Sequence, residues 1–168
     1  MKINNNLFSL KNKVVLITGA GKGIGQHLAE KIAEQNAIVY AIDKQFTKKT
    51  SKNSIKNLFK IECDITDQDR FRQICSDIVK KSKKIDVLIN NAGIASMNHS
   101  LLTPIDTARK ILDTNVIGTF IFSRESSKLM MKNQFGRIIN FSTFAVPFKL
   151  EGEAIYAASK AAIITLTE

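Results

Sequence analysis

Lys13-Val14-Val15-Leu16-Ile17-Thr18-Gly19-Ala20-Gly21-Lys22-Gly23-Ile24-Gly25 is the stretch that decides the fold. Its first six residues, Lys13 to Thr18, are an apolar, β-branched run of strand length, and a cluster of glycines follows at once. Ile24 to Gln35 then sets Ile24, Leu28, Ala29, Ile32 and Ala33 at the spacing of one helical face. Asn36 comes where a left-handed residue closes a helix, a position Asn tolerates in place of Gly. Ala37 to Ile42 is a second strand. Strand, turn, helix and strand in that order predict a βαβ unit, which is the seed of a parallel sheet.

The same alternation continues outward. Leu58 to Glu62 reads as a short third strand, and Asp67 to Lys80 as a helix with Phe71, Ile74 and Ile78 inward. Ile85 to Asn90 is a fourth strand. Pro104 suits a first helical turn, and Ile105 to Lys132 reads as one long helix. Arg137 to Phe141 is a fifth strand, and Ile155 to Glu168 opens another helix. There is no internal repeat or linker beyond a Lys/Asn-rich stretch after Asp43. The expected architecture is a doubly wound α/β parallel sheet covered on both faces, in a single domain over residues 1–168.

Composition narrows the function classes. The 168 residues are 44% hydrophobic and 24% charged, with two Pro and two Cys, which is an ordinary globular balance. Apolar runs are only strand-sized, so no membrane span is expected. The start, Met1-Lys2-Ile3-Asn4-Asn5-Asn6, is polar and lacks the apolar stretch of a secretory signal. Cys63 and Cys75 are too few for a disulfide framework and have no metal-ligand company, so both read as reduced thiols of a cytoplasmic protein. The formal charge is +10, with basic runs from Lys44 to Lys60 and in Lys80-Lys81-Ser82-Lys83-Lys84. These runs have neither Arg-rich stripes nor interleaved aromatics, so they read as a solvated surface rather than a nucleic-acid site. Such a field also steers acidic substrates or partners inward.

Two motifs carry chemistry. The turn Thr18 to Gly25 has the form T-G-x-x-x-G-x-G. Gly19, Gly21, Gly23 and Gly25 allow a sharp bend and close approach to a pyrophosphate, whose charge then lies over Lys22, Gly23 and Ile24 at the N-terminus of the following helix. Asp43 ends the second strand, where a carboxylate accepts from the adenosine ribose hydroxyls and repels a 2′-phosphate. That favours NAD(H); Lys22 and Lys44 nearby offset part of the repulsion and leave NADP(H) open. Tyr156-Ala157-Ala158-Ser159-Lys160 places a phenol and an ammonium four apart on one helix face. A phenol of pKa about 10 is only about 0.1% ionised at pH 7, and lowering it by ~3 units takes about 4 kcal/mol of preferential phenolate stabilisation. An ammonium, together with an oxidised nicotinamide, is the kind of group that supplies this, making Tyr156 a proton carrier to or from an alcohol.

With both motifs in hand, the chain resembles the short-chain dehydrogenase/reductase family. Asp64 after the third strand, Asn90-Asn91-Ala92-Gly93 after the fourth and Asn115 in the long helix add to the likeness. The resemblance implies a Rossmann-like domain in which Asp64 and the Ile65 backbone bind the adenine. Asn91 and Gly93, with Ala92 between them, border the adenosine ribose, and Asn90 braces the strand end. Asn115 kinks its helix and holds a water in a proton relay to Lys160. The family's catalytic Ser lies thirteen positions before the Tyr; here that position is Thr143, which keeps the hydroxyl, with Ser142 next to it as the fallback.

Family members continue through further strands and a substrate-covering segment, whereas this sequence stops at Glu168 inside the Tyr-bearing helix. The sheet is therefore expected to be incomplete at its C-terminal edge, leaving the apolar fifth strand unprotected. The function implied is NAD(P)-linked interconversion of a secondary alcohol and a carbonyl. Thr18 to Gly25 and Asp43 to Thr47 resemble dihydrodiol dehydrogenases of the 2,3-dihydro-2,3-dihydroxybenzoate type. Gly136 to Ala161 is closer to 3-oxoacyl-carrier-protein reductases, so the substrate is a small molecule or one bound to an acidic carrier protein. The alternative is a non-catalytic dinucleotide-binding fragment or pseudoenzyme. A complete family member is expected to be a homo-oligomer.

Overall fold

The computed structural model describes residues 9–46, 55–148 and 150–168. The polar start Met1 to Asn6, the middle of the Lys44 to Lys60 run and Thr47 lie outside the described residues. The first strand, β1 (Val14–Thr18), is buried along its whole length. Its side chains alternate between two cores, as the period of two in a strand requires. Val14 and Leu16 join Tyr40, Ile42, Phe71, Ile74 and Phe122 on one face. Val15 and Ile17 join Ala29, Ala33, Val39 and Ala41 on the other. A strand apolar on both sides belongs in the middle of a helix-covered parallel sheet.

β1 is indeed central. The five described strands run β3-β2-β1-β4-β5, all parallel, with β2 at Ile38–Asp43, β3 at Leu58–Glu62, β4 at Val87–Asn90 and β5 at Arg137–Asn140. The chain winds outward from β1 through β2 to β3, then returns to the other side for β4 and β5. The order reverses between β1 and β4, and ligands of open α/β sheets bind at the carboxyl ends of the strands at such a point. Helix α1 (Gly23–Glu34) covers one face, while α2 (Gln68–Ser82) and α4 (Thr119–Lys132) cover the other. The Phe71 and Phe122 rings stack with centroids 3.5 Å apart and lock α2 to α4. Asn36 has a φ of 62°, the left-handed closure expected after α1. β5 lies at one edge of the described sheet.

Three local features depart from the sequence reading. β4 begins two residues later than expected, because the Asp86 carboxylate, not a strand carbonyl, takes the Val14 N–H at 2.8 Å and pairs with Lys84 at 2.8 Å. The long helix is interrupted: α3 (Ile105–Leu112) widens into a π-turn over Asp113–Gly118 before α4. A short helix, α5 (Ala145–Phe148), precedes α6 (Ala154–Thr167). Asn115, for which the resemblance implies a kink, lies inside this π-turn, which the apolar pattern by itself does not mark.

Glu125 ties this face together. Its side chain is 7% exposed and meets Lys128 and Arg124 at 2.9 Å and Arg72 of α2 at 3.5 Å. Burial pushes its pKa up, but hydrogen bonds from Lys128 and Arg124 outweigh that and hold it below the ordinary 4.5. A carboxyl depressed in the folded state contributes stability that is fully present above its unfolded pKa and lost as pH falls through the lowered value. Glu125→Gln is therefore expected to flatten the acid limb of stability below about pH 4.5, read from urea midpoints between neutral and acid pH.

Candidate active site

The site is assembled where β1, β2, β3 and β4 end. Gly19 leaves β1 with a φ of +65°, and a Cβ there would lie 2.7 Å from the Ala92 backbone. The turn therefore packs directly on the segment after β4. Thr18, itself buried, fixes that contact: its hydroxyl oxygen accepts the N–H groups of Asn91 at 3.1 Å and Ala92 at 3.0 Å. The Asn91 side-chain amide answers by donating to the carbonyls of Thr18 and Gly19 at 3.1 and 3.0 Å. Asn90 braces the ends of β4 and β5, donating to Ser123 Oγ and Asn140 Oδ1 at 2.9 Å each.

The turn then enters α1 with its N-terminal N–H groups uncapped by any side chain and no acidic residue in the first turn. That end of the helix presents positive dipole to an anion. Asp43 holds the turn from the other side: its Oδ2 accepts the Gly21 N–H at 2.7 Å. Thr18, Gly19, Lys22, Gly23, Ile24, Asp43, Asp64, Ile65, Asn91, Ala92 and Gly93 all line one cavity of about 1030 Å³, large enough for a dinucleotide. Gly21 and Gly25 do not line it but pack beneath it, against Asp43 and against the Gly19 carbonyl. The residues present thus fit a pyrophosphate over α1 and an adenosine toward Asp43 and Asp64.

The second cluster lies past Gly93. The Lys160 side chain is buried, and its Nζ donates to the Phe141 carbonyl at 2.8 Å. A Cβ on Gly93, which lines the cavity, would come within 3.6 Å of that Nζ, whereas Lys160, Tyr156, Thr143 and Ser142 do not themselves line it. Burial lowers the Lys160 pKa from its ordinary value. Tyr156 is one helical turn earlier on α6. Thr143 and Ser142 divide their roles: Thr143 Oγ1 accepts the Ala145 N–H at 3.3 Å, whereas the Ser142 hydroxyl donates to the Lys160 carbonyl at 3.3 Å. Thr143 is thus an acceptor toward α5, and Ser142 spends its own proton on α6.

Asn115 sits inside the π-turn, fully buried. Its side chain clamps the segment after β4, taking the Ile94 N–H and giving to the Ile94 carbonyl, both at 2.9 Å, and it donates to Ser159 Oγ at 2.9 Å. Three features of the site are absent from the sequence reading. Ser159 is fully buried between Tyr156 and Lys160, and Arg109, Lys110 and Asp113 line the cavity from α3 and the π-turn. Lys44 pairs with Asp64 at 2.9 Å. Of these, only Ser159 has a signal in the sequence, a small polar residue at i+3 from a motif Tyr. The rest depend on how elements distant in sequence pack.

The comparisons with known proteins agree with this geometry. The sequence pattern of the family described as short chain dehydrogenase matches residues 13–168. The 3-oxoacyl-[acyl-carrier-protein] reductase FabG of Rickettsia felis is 38% identical over 97 residues, covering 58% of this chain and 40% of that protein. The 3-oxoacyl-[acyl-carrier-protein] reductase of Synechocystis sp. is 33% identical over 108 residues, covering 64% of this chain and 44% of that one. Among solved structures, an NAD+-bound xylitol dehydrogenase superposes with a TM-score of 0.86 at 30% identity, covering 94% of this chain and 63% of its own. The aldohexose dehydrogenase of Thermoplasma acidophilum gives 0.85 at 30% identity, covering 94% and 60%. The matches span less than half the length of these curated relatives. The family pattern thus runs from β1 and the glycine turn through the Tyr156/Lys160 helix, and this chain belongs to the short-chain dehydrogenase family.

Proposed function

We propose that the chain is a nicotinamide-dependent oxidoreductase that interconverts a secondary alcohol and a carbonyl. The observation that carries this reading is the buried Lys160 ammonium next to Gly93, a residue lining a dinucleotide-sized cavity, on the same helix as Tyr156 and within a hydrogen bond of the Phe141 carbonyl. A nicotinamide ring held there supplies or accepts the hydride. The chain's own residues handle the oxygen: Thr143 donates a hydrogen bond to the carbonyl oxygen and orients it, and Tyr156 delivers the one proton that completes the alcohol. Lys160 stabilises the phenolate left behind, and Asn115 keeps the Ile94 segment and Ser159 in register with it.

The substrate class we propose is a 3-oxoacyl group on an acidic carrier protein. Phe144, directly after Thr143, and Phe148 of α5 are exposed, with ring centroids 6.3 Å apart. Met97 and Leu150 are also exposed, on loops joined by the Asn98 N–H to Gly152 carbonyl bond at 3.0 Å. Exposed apolar side chains of this kind suit an alkyl chain better than a polyol, and the +10 charge suits an acidic carrier. A cytoplasmic, homo-oligomeric enzyme is in keeping with that role. The test is carbonyl-dependent oxidation of NADH and NADPH with 3-oxoacyl thioesters beside a panel of sugars and polyols. Binding of cofactor without turnover of any of them would leave a binding-only protein.

Asp43 makes NAD(H) the proposed coenzyme. Because the same carboxylate holds the Gly21 N–H, Asp43→Ala would loosen the turn as well as remove the charge. Asp43→Asn keeps an acceptor and is the cleaner variant. It is expected to shift the NADPH-to-NADH affinity ratio toward NADPH by about 10-fold, the equivalent of ~1.4 kcal/mol of like-charge repulsion in a partly exposed setting. Titration by nucleotide fluorescence reads it; an unchanged ratio would remove Asp43 as the selector.

A further inference from the structure

The adenosine end of the cavity carries an ion pair across it. Lys44 follows β2 and Asp64 follows β3, and these strands end level: Asp43 is in register with Glu62, and the Cys63 N–H donates to the Asp43 carbonyl at 2.9 Å. The Lys44 Nζ lies 2.9 Å from Asp64 Oδ2, so the bridge spans the carboxyl ends of the two strands, and both side chains line the cavity. Asp64 is fixed from behind. Its Oδ1 accepts the Thr66 N–H at 3.0 Å and the Thr66 hydroxyl at 2.8 Å. Oδ2 is the oxygen left to receive a donor from within the cavity, and the ammonium holds it.

We infer that Lys44 is a latch on the adenine subsite: in the free protein its ammonium holds Asp64 Oδ2, and a purine amine must displace it to be recognised there. This rests on the reading of Asp64 as the adenine-facing carboxylate. The lysine side chain is 77% exposed and the aspartate 38%, so the bridge is water-screened and yields readily. The latch therefore tunes affinity by a few-fold rather than closing the site. Its sign is unusual, since removing a cation beside a dianionic ligand should tighten binding.

Lys44→Met keeps the stem and removes the charge. Calorimetric titration of wild type and Lys44→Met is done with NADH and with adenosine, a neutral probe whose binding is not screened by salt. The variant is expected to bind both about two- to five-fold tighter, and wild-type affinity for adenosine is expected to rise as salt is raised. Equal or weaker NADH binding by the variant, with binding itself intact, overturns the latch and makes Lys44 an ordinary electrostatic contact. If neither protein takes up NADH or NADPH, the dinucleotide reading fails, and the latch falls with it. A second readout needs no ligand. Hydrogen bonds from the Thr66 backbone and then from Lys44 hold the Asp64 carboxyl at about 2, so Lys44→Met should raise its NMR-detected titration midpoint. An unmoved midpoint would show that the pair does not form in solution.

Discussion

Tyr156→Phe is expected to lower turnover of any accepted carbonyl by about 10²–10⁴-fold while leaving NADH affinity within about two-fold, the range a lost general acid accounts for. The asymmetry follows from what the substitution removes. Tyr156 is tied into α6 by its backbone carbonyl, which takes the Ser159 hydroxyl at 2.7 Å, and Phe keeps that contact. Ser159 still receives Asn115, and Lys160 still reaches Phe141. The phenol oxygen alone is lost. Lys160→Met makes the contrast: it deletes the buried ammonium and leaves the Phe141 carbonyl without its partner, so turnover and thermal stability should fall together. Stopped-flow oxidation of NADH beside a thermal melt separates the two. If Tyr156→Phe retained more than about a tenth of the wild-type rate, the proton would come from another group.

The sequence was most legible where one local rule decided the outcome. β1 and α1 follow from a β-branched run, a glycine turn and a helical stripe, and Asn36 from the need for a left-handed residue. The cavity is legible for the same reason, since parallel strands end on one side and the motif residues Thr18, Asp43, Asp64 and Asn91 lie at or just past those ends. What stayed hidden depends on contacts between distant segments. The start of β4 is set by Asp86 reaching Val14, seventy-two positions away. The π-turn is stabilised by Asn115 bonding Ile94 and by Gly118, where a Cβ would lie 2.7 Å from Ile65. Spacing from Tyr156 favours Thr143 over Ser142, but it could not show that the Lys160 carbonyl, eighteen residues on, engages Ser142. Periodicity reports which face a residue occupies, but not which partner that face will meet.

Gly25→Ala tests the joint on which all of this stands. Position 25 lies inside α1, where Ala is ordinarily worth up to about 1 kcal/mol more than Gly. That gain is outweighed here. A Cβ at 25 would run into the Gly19 carbonyl oxygen and the Asn91 side-chain amide, neither of which is the loose end of a flexible chain. Gly19 is pinned against Ala92, and the Asn91 amide is itself spent on the Thr18 and Gly19 carbonyls. Overpacking against such fixed groups costs about 3 kcal/mol, leaving a net loss of about 2 kcal/mol after the propensity gain. For a chain of this length that is a fall in melting temperature of about 4–8 °C. The displaced atoms are the floor of the proposed pyrophosphate site, so NADH affinity should fall with stability, unlike in Tyr156→Phe. Gly25→Val should be worse on both counts, adding a β-branch to the same collision. A Gly25→Ala protein that melts with the wild type and binds NADH equally would mean that α1 does not lie this close to the end of β1, and the path of the dinucleotide across the sheet would have to be redrawn.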